Sequence, residues 1–148
     1  LEKALPKAHV ILCAMDLNET NHAFFNEALL WKMRKGAIFI NIARGEMVSY
    51  QSCLALLEAG HLGGVGTDVY PYESELAVAL RRKERPPATS ETEAVLRMAE
   101  RTDTILTPHN AFNTRESVKR KAEQSAQQVT HFLRYGEFLW KVPAAGSG

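Results

Sequence analysis

Four side chains of this sequence could do chemistry together: Arg44, Asp68, Glu73 and His109. Arg44 follows the apolar run Ala37–Ile42, Asp68 follows Val65–Thr67, and His109 follows Asp103–Thr107, so each comes just after a stretch that reads as a strand. Glu73 lies on the loop beyond Asp68. The planar fork of an arginine takes a carboxylate through two parallel hydrogen bonds. An imidazole moves a proton near neutral pH, and a carboxylate beside it orients the ring and favours its charged form. Such a set suits reduction of a carbonyl next to a carboxylate, with a cofactor supplying the hydride. Taken singly, each is ordinary: an arginine in a turn, an aspartate cap, a histidine after proline, a solvated Glu73–Glu75 pair. Their common position carries the argument, because strand ends of a parallel sheet share one rim and ligands bind there.

The elements that must position these residues are legible from patterning. Lys7–Met15 reads as a buried strand. Asn26 caps a helix through Met33, with Glu27 in its first turn and Gly36 after its end. Ala37–Ile42 is the organising strand, and Gly45 behind it lets the chain turn. Ser49 caps a helix to Ala59. Gly63, Gly64 and Gly66 read as a turn preceding a third strand, which makes Gly64-x-Gly66 a decoy for a dinucleotide fingerprint. Pro71–Ala88 reads as an irregular, exposed excursion. Ser90-x-x-Glu93 is a capping box opening a helix to about Arg101. Asn113 or Thr114 caps the longest helix, whose inward face is Val118, Ala122, Ser125, Val129 and Phe132, and Gly136 ends it. Phe138–Val142 is an apolar tail that needs a surface to dock on. The strand–helix alternation predicts an α/β fold, a parallel sheet with helices on both faces.

Composition narrows the function classes. At 148 residues, 45% apolar, 24% charged and net +1, the chain fits one globular domain without a field for nucleic acid or a membrane surface. The basic stretch Arg81-Arg82-Lys83-Glu84-Arg85 has no interleaved aromatics to stack bases. Cys13 and Cys53 sit in apolar surroundings without metal-ligand spacing and read as reduced core thiols of a cytoplasmic protein; no metal site is expected. No apolar run reaches membrane-spanning length. A start at Leu1 and an Ala-Ala-Gly-Ser-Gly end read as a segment of a longer protein closed by linker residues.

Three ordered segments resemble the D-isomer-specific 2-hydroxyacid dehydrogenases. Asn41-Ile42-Ala43-Arg44-Gly45-Glu46-Met47-Val48 is similar to the family's N-x-x-R-G-x-x-V signature. Gly64 to Glu73 resembles its G-x-x-x-D-V-F/Y-x-x-E segment, and Thr107-Pro108-His109-Asn110-Ala111 its T-P-H-x-A/G segment. Lys32–Ala37 looks like the K-M-K-x-G-A lead-in. The resemblance implies a partial Rossmann-type nucleotide-binding domain: residues 1–136 its second half, 137–148 a C-terminal tail. It implies that Arg44 clamps the carboxylate of a 2-oxo acid, that His109 is the general acid in reduction, and that Glu73 holds His109. It implies that Asp68 holds the nicotinamide carboxamide of NAD or NADP, with the Ala43 and Ala111 backbones lining that half of the cofactor. The partners implied are a small 2-oxo or 2-hydroxy acid and, in the full-length protein, a second copy in a homodimer.

Departures from the family pattern are equally definite. The L-H-x-P-L-T segment after the first strand is replaced, with Ala14 and Asp16 at its His and Pro places. The stretch 74–101 has an unusual basic, proline-containing middle. No G-x-G-x-x-G phosphate cradle occurs in the 148 residues, so these residues alone are expected neither to bind a dinucleotide tightly nor to turn over. A half-domain of this kind is expected to expose an apolar sheet edge and to aggregate or pair with itself. A competing reading of the same residues is an NAD-sensing, corepressor-like regulatory module of the same fold.

Overall fold

A computed structural model describes residues 1, 3–84, 86 and 88–141. In order, the elements are β1 (Val10–Cys13), α1 (Glu27–Trp31), β2 (Ala37–Asn41), a 3-10 turn (Gly45–Met47), α2 (Tyr50–Glu58), β3 (Leu62–Thr67), α3 (Glu73–Arg82), α4 (Ser90–Ala99), β4 (Thr104–Leu106) and α5 (Arg115–Tyr135). The four strands form one parallel sheet in the order β1-β2-β3-β4. The parallel α/β alternation is therefore as read, and the carboxyl ends of β2, β3 and β4 share one rim. The chain divides into two compact units, Leu1–Asn110 and a second beginning at Ala111.

In the first unit the core forms against one face of the sheet. Ile11, Cys13, Ala37, Phe39, Leu62 and Val65 are buried there with Leu30 of α1, Leu56 and Leu57 of α2 and Val95 and Met98 of α4. The alternate residues, Val10, Leu12, Ile38 and Ile105, are 54%, 55%, 42% and 71% exposed, so the other face carries apolar side chains out to solvent. Strand periodicity puts these two sets on opposite sides.

Local chemistry explains most boundaries. Asn26 Oδ1 accepts from Leu29 N at 3.0 Å, and Ser49 Oγ from Ser52 N at 3.2 Å, as their positions before α1 and α2 suggest. α1 stops at Trp31, short of Met33, and β1 covers only Val10–Cys13 of the longer apolar run.

Three expectations need correction. The cap of α4 is Thr89, whose Oγ1 accepts from Thr92 N at 3.1 Å; Ser90 is already the first helical residue. Gly63, Gly64 and Gly66 lie inside β3 and do not precede it. A Cβ on Gly63 would stand 2.4 Å from Gly36 O, and one on Gly64 3.0 Å from Asp103 O, so these positions are glycine because neighbouring backbone passes close by. The excursion after Pro71 contains α3, an amphipathic helix that buries Leu76 and Ala79; Arg85 and Pro87 lie outside the described residues.

In the second unit, Thr114 supplies the cap of α5, its Oγ1 accepting from Ser117 N at 3.1 Å. No residue of α5 is buried, so the face read as inward, Val118 to Phe132, stays exposed. Part of the apolar tail docks on α5: Phe138 stacks on Phe132 at 4.6 Å between ring centres, and Gln128 Nε2 donates to Trp140 O at 2.9 Å. Val142 and the rest of the tail fall outside the described residues.

Candidate active site at the strand-end rim

The loop after β2 is built around one buried amide. Asn41 is fully buried, and its Oδ1 accepts from Ala43 N at 3.0 Å. Its Nδ2 donates to Arg44 O and to Tyr50 Oη, both at 3.0 Å. The Tyr50 hydroxyl in turn lies 2.7 Å from both Thr67 Oγ1 and Val69 O, at the end of β3. This satisfied network ties the Ala43–Arg44 turn to the neighbouring strand. Gly45 has no positive φ, so the turn itself does not require glycine. The reason is proximity: a Cβ there would fall 2.1 Å from Tyr70 C and 2.4 Å from Pro71 N. The Arg44 guanidinium, exposed, donates from Nη1 to Ala43 O at 2.7 Å.

The segment after β3 approaches the same rim. Asp68 is buried, and its Oδ1 accepts from Asn110 N at 2.8 Å and from the Thr107 hydroxyl, joining the ends of β3 and β4. The Tyr70 hydroxyl makes contacts at 2.6 Å to Thr107 O and 3.2 Å to Thr67 O. His109 N donates to the same Thr107 carbonyl at 3.0 Å. Two residues with left-handed backbone flank the approach of acid and imidazole: Tyr72 at φ 51° and His109 itself at φ 50°. Non-glycine residues in that region are uncommon and cluster where surrounding structure holds them. Tyr72 turns the chain into α3, so that Glu73 is its first residue.

These turns bring Glu73 Oε1 to 2.6 Å from His109 Nδ1, with both side chains about one-third exposed (35% and 36%). A cavity of about 540 Å³ is lined by Arg44, Tyr70, Glu73 and His109 together with Glu46 and Arg81. Three of the residues singled out from the sequence thus meet around one space. Asp68 and Ala43 are buried and do not line it, and both polar backbone atoms of Ala43 are engaged within the loop. Ala111 is the first residue of the second unit. Sequence reasoning assigned no role to Asn41, Tyr50, Tyr70, Thr107 or Arg81. A buried asparagine closing an otherwise apolar strand was the available signal for the first of these.

Chemically, the arrangement offers a guanidinium to hold a carboxylate and an imidazole to exchange a proton. Because Glu73 occupies Nδ1, any proton exchanged with a ligand would pass through His109 Nε2.

The tyrosines of this rim yield a pH prediction. Burial, with the Asp68 and Glu73 charges adding to it, pushes the Tyr70 hydroxyl up to about 12. Burial raises Tyr50 further, against hydrogen bonds to Thr67 and Asn41 that pull the other way. A phenol that resists ionisation only when folded binds more protons in the native state than in the unfolded one. Stability is then full below the ordinary phenol range, near 10, and falls as pH rises toward about 12. Urea unfolding between neutral and strongly alkaline pH should show that decline, and Tyr70→Phe should make it shallower. A slope unchanged by the substitution would contradict the assignment.

Comparison with known proteins agrees with the geometry. Residues 1–111 match the family model for the D-isomer specific 2-hydroxyacid dehydrogenase, NAD binding domain. A D-2-hydroxyacid dehydrogenase (NAD+) of Lacticaseibacillus paracasei is 34% identical over 144 residues, which is 96% of this chain and 41% of that protein. The structure of D-2-hydroxyisocaproate dehydrogenase superposes with a TM-score of 0.83 at 30% identity, over 95% of this chain and 42% of that one. D-lactate dehydrogenase from Aquifex aeolicus, complexed with NAD and lactic acid, gives 0.78 at 26% identity, over 96% and 44%. The chain therefore spans about two-fifths of the length of these relatives. The three signature segments and the matched residues agree: the chain belongs to the D-isomer specific 2-hydroxyacid dehydrogenase family, and its residues 1–111 match part of that family's NAD-binding domain.

Proposed function

We propose that the chain supplies the nicotinamide-side half of a D-2-hydroxyacid dehydrogenase active site, interconverting a small 2-oxo acid and its 2-hydroxy acid. The observation that carries this reading is the single cavity lined by Arg44, Glu73 and His109, with Glu73 2.6 Å from the imidazole. The residues at the rim suit the nicotinamide end of the cofactor: Asp68, buried between the ends of β3 and β4, would hold the carboxamide, with the Ala43 backbone on the neighbouring loop. When bound, NADH supplies the hydride. Arg44 holds the substrate carboxylate and draws charge toward the carbonyl oxygen. His109 delivers the Nε2 proton to that oxygen, and Glu73 fixes the ring and stabilises the imidazolium. In the oxidative direction His109 accepts the proton back.

The same reading makes the working protein cytoplasmic and homodimeric. Two free, buried thiols suit a reducing compartment, and no helix among the described residues is long and apolar enough to cross a membrane. The exposed apolar row of Val10, Leu12, Ile38 and Ile105 supports burial against further protein. The test is NADH consumption with small 2-oxo acids by the polypeptide encoded by the full reading frame that contains these residues. Consumption yielding the D-hydroxy acid is expected. Loss of no NADH with any 2-oxo acid would overturn the reading.

A further inference from the structure

The cavity holds a second guanidinium that the proposed chemistry does not use. Glu73, Ala77 and Arg81 follow one another at a spacing of four along α3, which places them on one face of the helix, and all three line the cavity with Arg44 and His109. Arg81 Nε donates to Ala77 O at 3.1 Å, which draws the side chain back along the helix toward Glu73, the direction helical side chains favour. Among the described residues no carboxylate pairs with Arg81, and none pairs with Arg44. The carboxylates in the lining are Glu73, taken up by His109, and Glu46. Two guanidinium groups without acidic partners, both lining one cavity, fit a ligand with two anionic groups.

We infer that Arg81 is a specificity-determining residue and that the site takes a 2-oxo acid bearing a second, distal carboxylate. Arg44 holds the carboxylate next to the reacting carbonyl, and Arg81 holds the distal one. This inference rests on the proposed function, and it goes further by naming the substrate class. It also gives the basic stretch after Glu73 a role: the segment brings a cation to the cavity that the three signature segments do not contain.

The experiment titrates the 148-residue chain with 2-oxoglutarate and, separately, with 2-oxopentanoate, which has the same carbon chain without the distal carboxylate. The readout is the His109 ring signals in NMR. 2-Oxoglutarate is expected to bind at least about fivefold more tightly, in keeping with one charge-assisted hydrogen bond in a partly solvated site. Arg81→Gln should abolish that preference and leave 2-oxopentanoate unaffected. Arg82→Gln removes the same charge from a residue outside the cavity lining and should preserve the preference. Equal binding of the two acids by the unsubstituted chain, or a preference that survives Arg81→Gln, overturns the role of Arg81 and leaves the proposed function standing. Absence of any His109 response to either acid overturns the inference drawn here, while the proposed function stands or falls on NADH consumption by the longer polypeptide.

Discussion

Gly45→Ala should cost about 3 kcal/mol of stability, the upper end of what overpacking of a closed site usually costs. The added methyl would stand 2.1 Å from Tyr70 C and 2.3 Å from Tyr70 O, and backbone cannot step aside as a flexible side chain can. Relief requires separating the Arg44 loop from the Tyr70–Pro71 segment. That separation pulls on the Asn41–Tyr50–Thr67 network, which is fully buried and has little slack. The effect should therefore appear twice, as a lower urea midpoint and as a weaker response of His109 to 2-oxo acids. Gly36→Ala is the informative contrast. Its φ of 80° makes alanine unfavourable there too, but its Cβ would meet nothing within 4 Å, so the loss should be smaller and confined to stability. An unchanged midpoint for Gly45→Ala would show that the two loops are not pressed together as described.

The second large effect concerns the imidazole. On the proposed function, His109→Gln should lower kcat by about a hundred- to ten-thousand-fold, the usual contribution of a positioned general acid. Glutamine can still hydrogen-bond a carbonyl but has no proton to give. Arg44→Lys should act differently. A lysine keeps the charge and loses the fork, so the loss should fall more heavily on KM for the 2-oxo acid than on kcat. Glu73→Gln should lie between histidine removal and the native enzyme, since the ring keeps a neighbour at Nδ1 but loses its counter-charge. Steady-state kinetics of the three variants separate the roles. Equal loss in kcat for all three, with KM unchanged, would argue for a common structural defect instead of three chemical functions.

What could be read from the chain beforehand was what strand ends and spacing encode. Arg44, Asp68 and His109 follow β-rich runs, and a parallel sheet must present those ends on one side. The helix caps at Asn26 and Ser49 were legible, and that of α5 was narrowed to Asn113 or Thr114, because the side chain that accepts the first free N–H is local in sequence. Features set by distant neighbours were not. Gly63 and Gly64 look like a turn until the Gly36 and Asp103 backbones are placed beside them. Gly45 reads as a residue that lets the chain turn until Tyr70 and Pro71 are placed against it. The segment after Pro71 looked irregular because its charges obscured the burial of Leu76 and Ala79 on α3. Tyr70 gave no sequence signal for its contact with Thr107, which depends on β3 and β4 lying side by side. The regular face of α5 shows the limit in the other direction: its periodicity is real, but periodicity does not reveal what covers it.

All of this depends on a guanidinium and an imidazole from separate strands facing one small molecule. The most direct measurement is an NMR titration of the isotope-labelled chain with oxamate, a carboxylate beside a carbonyl that resists reduction. The Arg44 guanidinium and the His109 ring signals should shift together along one binding curve, and Glu73→Gln should diminish the His109 response without removing that of Arg44. Movement of Arg44 with His109 silent, or of the two on separate curves, would mean that these groups do not serve a common ligand.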